Sequence, residues 1–325
     1  MKFKLPFENI ERNILTKIDI KTDQTVGNHP EDRTVEELIK YGIINLNKPS
    51  GPTSHQIVDY VKRILGVNKA GHSGTLDPKV TGVLPIALDK ATRIVQVLLS
   101  AGKEYVCLMH LHRVVDEKKI KEAFEKFSGE IKQLPPVRSA VKRQERKRNV
   151  YYIETMEINE KDVLFRIGCQ AGTYIRKFVH DLGKYLGCGA HMVQLVRTKA
   201  GPFNDKNMYT LHDLKDAYEF YKNGNEEEIR KIILPFEKAT EHLGKIWIFD
   251  GAVDPLCHGS DLYLPGIAKL NDKIMKGDLV AVFTLKNELV CIGKAEIESE
   301  EMMKNEKGTT VKSGKVFMDR GKYRL

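Results

Sequence analysis

Residues 71–78 read Gly-His-Ser-Gly-Thr-Leu-Asp-Pro. Gly71 and Gly74 allow tight or left-handed turns, and Pro78 restricts Asp77 to extended conformations. The pattern predicts a loop that holds one carboxylate, Asp77, at a defined place. An ordinary surface turn is the alternative at this point, because Asp and Gly are common in turns of every kind. A phosphate-binding P-loop is excluded, since GxxxxGK[ST] does not occur in the chain.

The segments before this loop predict a strand, a turn and a helix. Gly42–Asn47 is apolar enough for a strand, and the turn Lys48-Pro-Ser-Gly-Pro52 follows it. Thr53 or Ser54 can cap the next helix, which we expect to end at Gly66. Its apolar residues recur at helical spacing and predict one buried face, formed by Ile57, Val58, Val61, Ile64 and Leu65.

The rest of the chain mixes helices and strands without a regular repeat. The patterns predict helices at residues 34–41, 117–127 and 174–186, and strands at 104–111, 150–158, 163–169 and 191–198. Beyond a helical, acidic stretch around residues 225–228, short strands alternate with turns, for example at 247–249, 279–283 and 289–292. We therefore predict an α+β fold with a mixed, mainly antiparallel sheet flanked by helices, plus a small C-terminal β-barrel.

Composition adds limits to this fold. Of the 325 residues, 41% are hydrophobic, which is enough for a real core and excludes disorder throughout. The chain contains no run of 18 apolar residues, so we expect no membrane-spanning helix, and its first residues lack the apolar centre of a secretory signal. The five cysteines are scattered and form no CxxC pair, so we expect neither a disulfide framework nor a zinc site. These features predict a cytoplasmic protein.

The positive charge lies almost entirely in one part of the sequence. Residues 41–150 carry 20 basic and 10 acidic residues, whereas the other parts are balanced to within one charge. Residues 138–148 alone hold six cations and one anion, and Tyr151 and Tyr152 follow at once. A localised basic patch is typical of proteins that bind a phosphate backbone. We favour contact with RNA or DNA over the alternative, a solvated loop.

A single carboxylate beside a basic segment limits the chemistry. Glycoside hydrolysis usually needs two carboxylates, and the next acid after Asp77 is Asp89, beyond an apolar stretch. Several histidines are present, but their spacings fit no zinc pattern; they are His55, His72, His110, His112 and His180. The residues by themselves favour chemistry on a nucleic acid that needs neither a metal nor another cofactor.

Six motifs resemble, in order, those of the TruB-type pseudouridine synthases. They are Asn47-Lys-Pro-Ser-Gly51, the loop 72–78, Gly102-Lys-Glu-Tyr105, Pro135-Pro-Val-Arg-Ser-Ala-Val-Lys142, Gly172-Thr-Tyr-Ile-Arg176 and Leu195-Val-Arg-Thr-Lys-Ala-Gly-Pro-Phe203. His258–Ile267 resembles part of a PUA domain, an RNA-binding β-barrel. The motif that begins at Pro135, together with the N-terminal arm, is similar to the dyskerin branch, which forms the catalytic subunit of H/ACA guide-RNA particles. Since a long Lys-rich tail is absent, the chain resembles the archaeal form.

The resemblance implies a division into three parts and a set of catalytic roles. The parts are an arm associated with the PUA domain (1–40), a catalytic domain (41–240) and the PUA domain (241–325). Asp77 corresponds to the catalytic aspartate, which acts at the ribose C1′ of a uridine or removes a sugar proton, and is expected to be ionised and dry. Tyr105 corresponds to the tyrosine that stacks on the base and assists proton transfer, and Arg176 to the cation that pairs with the aspartate.

The same resemblance implies substrate-binding residues and partners. His72 corresponds to a residue that holds the flipped nucleotide, and Ile175 and Leu195 to apolar pocket walls. Residues expected to contact the RNA backbone are Arg138, Lys142, Arg143, Arg146 and Lys147, and in the PUA domain Gly259, Pro265 and Gly266. The implied partners are an H/ACA guide RNA, substrate rRNA or tRNA, and small proteins bound to the catalytic domain. No contact with a membrane is expected. Two alternatives stay open: a stand-alone enzyme for the tRNA T-loop uridine, and a non-catalytic RNA scaffold.

Overall fold

The computed structural model describes residues 3–135 and 142–324. Its α-helices are α1 (Val35–Tyr41), α2 (Ser54–Leu65), α3 (Val95–Ser100), α4 (Glu117–Lys126), α5 (Ile175–Tyr185), α6 (Leu211–Lys222), α7 (Glu227–Ile232), α8 (Asp250–Cys257) and α9 (Ser299–Lys304). Its strands are β1 (Ile14–Thr16), β2 (Gly42–Lys48), β3 (Ala70–His72), β4 (Thr81–Leu88), β5 (Lys103–Leu111), β6 (Gly129–Gln133), β7 (Arg146–Asn159), β8 (Asp162–Cys169), β9 (Ala190–Ala200), β10 (Phe203–Asn204), β11 (Ile233–Pro235), β12 (Gly244–Ile248), β13 (Leu262–Tyr263), β14 (Ile267–Asn271), β15 (Leu279–Thr284), β16 (Leu289–Ala295) and β17 (Thr309–Val316).

The chain forms two compact units. The first comprises the segment up to Asn9, Ile44–Ala87 and Ile94–Ile232. The second comprises Ile10–Ile43, Leu88–Arg93 and the residues from Ile233 onward. The three-part division expected from the sequence concerns the roles of the segments as well as their packing, and it stays a prediction.

A mixed sheet organises the first unit. Its strands follow the order β2-β4-β9-β5-β8-β7-β6, with β3 beside β4 and β10 beside β9. Strands β4 and β9 pair in parallel, whereas β9 with β5, β5 with β8, β8 with β7 and β7 with β6 pair antiparallel. The predicted α+β class with a mainly antiparallel sheet is therefore confirmed.

Helix α2 forms because its sequence carries both end signals and one apolar face. The Thr53 hydroxyl accepts a hydrogen bond from the Gln56 amide, and the Gln56 side-chain oxygen accepts one from the Thr53 amide. Gly66 ends the helix in the left-handed region, with φ 67°. Four of the five predicted apolar residues are buried, and Ile64 is half-buried.

Helix α5 presents a similar apolar face to the sheet. Ile175, Phe178, Val179 and Leu182 are buried, and the Phe178 ring lies 6.0 Å from that of Phe165 on β8. Because this face anchors the helix, its first turn is held at a fixed position. Arg176 lies in that turn, one residue after Ile175.

The second unit is built on a seven-stranded sheet with the order β1-β14-β12-β15-β16-β17-β13. Of its described strand pairs, β12 and β15 pair in parallel and the others pair antiparallel. The antiparallel pairs include β1 with β14. Its core contains aliphatic residues of every long strand, such as Ile246, Val282 and Val290. The predicted C-terminal β-structure is thus confirmed, and a strand of the N-terminal arm completes its edge. None of the helices in the described ranges has the length and apolar character needed to cross a bilayer.

Candidate active site

The loop between β3 and β4 is held mainly through its backbone. The buried Lys48 ammonium donates to the carbonyl oxygens of Pro49, Pro78 and Val80, each at 2.9 Å. The Ser54 hydroxyl accepts from the Leu76 amide at 2.9 Å and lies 3.1 Å from the Leu76 carbonyl oxygen. These contacts lie on both sides of residue 77, so its backbone position is defined even though its side chain is exposed.

Asp77 faces the first turn of α5. Its Oδ2 accepts a hydrogen bond from Nη2 of Arg176 at 2.5 Å. Such a charge-assisted hydrogen bond fixes the direction of the carboxylate. The side chains of Asp77 and Arg176 are 54% and 62% exposed, respectively. Both side chains are therefore open to solvent in the chain by itself. The expectation of a dry carboxylate concerns the site with a nucleotide bound, and it stays a prediction.

Tyr105 lies on β5 directly opposite Arg197 on β9. Burial raises the pKa of the Tyr105 phenol above its usual value, while the Arg197 guanidinium, which is hydrogen-bonded to the phenol, opposes part of that rise. The phenol is therefore protonated at neutral pH. A cation stands beside it to stabilise any negative charge that develops there.

Arg197 also connects the tyrosine to the loop. Its side chain is buried, and burial lowers its pKa. Its Nε donates to the Val83 carbonyl oxygen at 2.7 Å and its Nη2 to that of Gly74 at 3.2 Å. One guanidinium thus bonds to the Tyr105 phenol, to the loop that carries Asp77 and to β4.

Lys48 and Arg197 were assigned no role from the sequence, although both lie within the quoted motifs. Lys48 ends an apolar strand, and Arg197 follows Leu195 and Val196 on another. A buried cation must find hydrogen-bond partners in the interior. The strand of Arg197 also carries His191, Gln194 and Lys199, so its sequence does not mark Arg197 as the buried one.

His72 packs beside the loop. Its ring contacts that of His55 edge to face, with centroids 5.1 Å apart, and its Nδ1 accepts from the Gly74 amide at 3.3 Å. Burial, helped by His55 and Arg197, lowers the pKa of His72 to about 4. The imidazole is therefore neutral at physiological pH and acts by packing and hydrogen bonding rather than by charge.

The predicted apolar wall residues are both buried. Ile175 is the first residue of α5, next to Arg176, and Leu195 lies on β9 two residues before Arg197. Residues two apart on a strand share a face. Leu195 therefore lies on the same face of β9 as Arg197.

The second tyrosine after the basic segment lies in the interior. Tyr152 is buried, and its hydroxyl donates to the buried Glu104 carboxylate at 2.5 Å. Glu104 also accepts from the Thr198 hydroxyl at 2.7 Å. Burial and the Glu104 bond raise the pKa of Tyr152. The Tyr152 side chain thus joins three strands, next to the position of Tyr105.

The basic segment lies at the start of β7. Arg138 lies outside the described residues. Lys142 and Arg143 are exposed, Arg146 begins β7, and Lys147 pairs with Glu130 on β6 at 2.9 Å. Nearby, the Arg148 guanidinium lies over Gly172, so close that a Cβ at residue 172 would stand 3.1 Å from it. The basic strand therefore runs beside the loop that leads into α5.

The three PUA positions lie around the end of α8 and the turn that follows. Gly259 comes just after α8 with φ 94°, and Pro265 and Gly266 form a short turn before β14. A Cβ on Gly266 would lie 3.1 Å from that of Ala252 on α8. This glycine allows the turn to pack closely on the helix.

Family models match successive parts of the chain. "TruB family pseudouridylate synthase (N terminal domain)" matches residues 62–118 and 112–175, and "tRNA pseudouridylate synthase B C-terminal domain" matches 176–241. A "Probable tRNA pseudouridine synthase B" of Methanopyrus kandleri is 54% identical over 321 residues, which are 98% of this chain and 95% of that protein. The chain belongs to the TruB family of pseudouridine synthases. In addition, a PUA domain model matches residues 244–317 of the chain, and the DKCLD domain model matches residues 2–58.

Further relatives agree with this assignment. The Pyrococcus abyssi protein of the same name is 57% identical over 318 residues, 97% of this chain and 95% of that protein. The TruB-family chain also matches a crystal structure of a Cbf5-Nop10-Gar1 complex, with TM-score 0.93, 56% identity and coverage of 99% and 98%. A structure of an H/ACA RNP bound to a substrate RNA containing 2′-deoxyuridine gives TM-score 0.91 and 53% identity, covering 99% of each chain. The resemblance to the TruB and dyskerin type with a PUA domain is confirmed.

Proposed function

We propose that this TruB-family protein isomerises uridine to pseudouridine in RNA as the catalytic subunit of an H/ACA ribonucleoprotein, acting on rRNA and on the T-loop uridine of tRNA. The observation that carries the proposal is the 2.5 Å bond between Arg176 and Asp77, on a loop that Arg197 links to Tyr105. One oriented, ionised carboxylate beside a neutral phenol suits a reaction in which the base leaves and returns and no water is activated.

In this proposal Asp77 attacks C1′ or removes a sugar proton, and the N1–C1′ bond breaks. The uracil turns and C5 bonds to C1′, while the Asp77–C1′ bond breaks or, on the other path, the sugar regains its proton. The proton on C5 then leaves and N1 gains one, so the product is an isomer of the substrate. Tyr105 stacks on the base and assists proton transfer, Arg176 holds the carboxylate, and Ile175, Leu195 and His72 surround the nucleotide.

The uridine must be turned out of its helix or folded arm to reach Asp77, at a cost of a few kcal/mol. Stacking on an aromatic ring offsets about 1–3 kcal/mol of that cost. The covering base also supplies what the exposed carboxylate lacks, because it excludes water from Asp77. We therefore infer that the site becomes dry only with RNA bound.

The exposed cations Lys142, Arg143 and Lys147, with Arg146 and Arg138, would hold the RNA backbone. Contacts to phosphates position an RNA but do not read its sequence. Selectivity must then come from a guide RNA or from the shape of the tRNA. We propose that residues 241–325, including Gly259, Pro265 and Gly266, grip an RNA end and that catalysis is confined to 41–240. The arm (1–40) would pack on the PUA domain from Ile10 onward, since the residues up to Asn9 belong to the first unit.

The proposed partners rest on the solved relatives, and the proposed location rests on the cysteines. The solved relatives include complexes with Nop10 and Gar1 and an H/ACA RNP with substrate RNA, so we propose two such small proteins and a guide RNA as partners here. The five cysteines are free thiols, which suits a reducing compartment such as the cytoplasm. A second function, a stand-alone tRNA enzyme, is favoured by the names of the curated relatives.

The deciding experiment uses purified chain, unmodified tRNA and an rRNA fragment, with and without guide RNA and partner proteins. Pseudouridine is mapped by carbodiimide-dependent reverse-transcription stops. Product on rRNA only with guide supports the H/ACA role, whereas product on tRNA alone under every condition supports the stand-alone enzyme.

The matched variant is Asp77→Asn, which removes the charge and keeps the shape. Because both partners of the ion pair are more than half exposed, the pair contributes at most about 1 kcal/mol to folding. We expect product to vanish while RNA affinity and stability stay nearly unchanged. Residual turnover above a few per cent would refute the role of Asp77, and a wild type inactive under all conditions would favour the scaffold alternative.

A further inference from the structure

A buried lysine holds the last turn of α3. Lys103 is the first residue of β5 and is 5% exposed. Its Nζ donates to the carbonyl oxygens of Leu98 at 2.7 Å, Leu99 at 3.0 Å and Ala101 at 2.7 Å. The last carbonyl oxygens of a helix have no partner within the helix, and an ammonium has three donors. Lys103 therefore uses all of its donors to fix the main chain at the end of α3.

The side chain of Leu99 extends from this turn to the loop that carries Asp77. A Cβ at Gly74 would stand 3.8 Å from Cδ2 of Leu99 and 3.8 Å from Nη1 of Arg197. The same guanidinium is hydrogen-bonded to the Gly74 carbonyl oxygen and to the Tyr105 phenol. Leu99 thus lies next to the contacts that connect the loop to Tyr105.

Leu99 combines a fixed main chain with an exposed side chain, as Asp77 does. Lys48 holds the loop of Asp77 through main-chain carbonyl oxygens, and Lys103 holds the turn of Leu99 in the same manner. Leu99 is 46% exposed. Isolated exposed leucines are common on protein surfaces, but the turn of this one is held by a buried charge, which must be hydrogen-bonded to be tolerated in the interior. The fold therefore presents apolar surface at a defined place beside the candidate active site.

The apolar walls expected from the sequence offer little surface in the chain by itself. Ile175 and Leu195 are both buried, whereas Leu99 is open to solvent. A uracil that stacks on Tyr105 still has another face and its carbon edge to cover. Because burial of apolar surface is favourable in proportion to its area, an exposed leucine at this place would stabilise a base that packs on it.

We propose that Leu99 contacts the extruded uracil as an apolar wall of the nucleotide site, and that Lys103 is the positioning residue that holds Leu99 there. This inference rests on the proposed function and adds two residues to its site. The ligand is a pyrimidine base, whose faces and carbon edge are apolar enough to pack on a leucine. Lys103 itself does not touch the base, because its three donors are already bonded to carbonyl oxygens.

The test compares the binding of two RNAs that differ at one position. One carries the target uridine and the other an abasic site in its place. Guide RNA and partner proteins are present, and every chain carries Asp77→Asn so that no product forms. Leu99→Ala should weaken binding of the uridine RNA by roughly three- to tenfold and of the abasic RNA by less than about twofold. Val114→Ala, which changes an exposed valine past the far end of β5, should bind both RNAs like the parent chain.

Two results would overturn the contact. One is equal affinity of the parent and Leu99→Ala for the uridine RNA, and the other is an equal loss of affinity on both RNAs. Turnover by the chain with Asp77 intact is measured in parallel. Its absence would refute the proposed function, whereas turnover together with either of those affinities would refute the role of Leu99 and leave the proposed function in place.

The role of Lys103 is tested by combining its replacement with Leu99→Ala. Burial lowers the pKa of Lys103 to about 7, so binding is measured at pH 6, where the amine is charged. Lys103→Met removes the three donors and should weaken binding of the uridine RNA as much as Leu99→Ala does. The double variant should lose little more, because both changes remove the same contact. Circular dichroism at the assay temperature checks folding, and Lys103→Gln takes the place of Lys103→Met if the latter is unfolded. Additive losses, or unchanged binding by a folded Lys103 variant, would overturn the positioning role.

Discussion

Replacing Arg197 by methionine tests how the active-site loop and the tyrosine are held together. Methionine keeps much of the volume but donates no hydrogen bond. The carbonyls of Gly74 and Val83 and the Tyr105 phenol would each lose a buried partner. The loss of one such partner costs about 1–3 kcal/mol, and relief of the burial of a charge offsets part of the total. We expect the free energy of unfolding to fall by about 2–4 kcal/mol.

Two measurements check this expectation. Thermal unfolding should show Tm lowered by roughly 5–15 °C, at about 2–4 °C per kcal/mol. Single-turnover pseudouridine formation should fall by about 100-fold, because displacement of the loop by an ångström has that effect on a reacting group. Arg197→Lys keeps the charge without the fork of donors and should give an intermediate result.

The matched control is Arg63→Met, which changes an exposed arginine on α2 and should alter stability by less than about 0.5 kcal/mol. If Arg197→Met unfolded within about 2 °C of the wild type, the hydrogen bonds of the guanidinium would not stabilise the loop. Normal turnover in a destabilised variant would show instead that loop position does not limit catalysis.

Three further predictions concern pH, charge and metal. The pKa of His72 is about 4 in the folded chain against an ordinary 6.5, so the unfolded chain gains its proton first. The free energy of unfolding should therefore fall as the pH falls from about 6.5 to about 4. The urea midpoint of His72→Gln should depend less on pH in this range than that of the wild type. Replacing Arg143, Arg146 and Lys147 by glutamine should weaken RNA binding and reduce its salt slope by roughly 2–3; an unchanged slope would favour a solvated segment. Treatment with a chelator should leave turnover unchanged, and inhibition would contradict chemistry by Asp77 alone.

Local signals made much of the fold predictable. Thr53 and Gly66 defined the ends of α2 because capping depends on neighbouring residues. The predicted helix at 174–186 is observed as Ile175–Tyr185, and the strand at 163–169 as Asp162–Cys169. In contrast, β4 was read only as an apolar stretch, since periodicity does not distinguish a fully buried strand from a buried helix.

The active site was also predictable only in part. Asp77 and Arg176 were found through motifs, and the structure brings their side chains together. The interior positions of Arg197 and Tyr152 could not be read locally, because they depend on partners such as Gly74 and Glu104 that are distant in sequence. Charged and aromatic side chains near a basic segment look like surface residues until the strand pairing is known.

The loop is held by bonds to main-chain atoms, which frees its outward side chains for labelling. Lys48, Ser54 and Arg197 contact carbonyl and amide groups of the loop, whereas Thr75 and Lys79 are exposed. A dye attached at residue 79 would stand two residues from the carboxylate without disturbing those bonds. Such a reporter would register the arrival and departure of each RNA in real time.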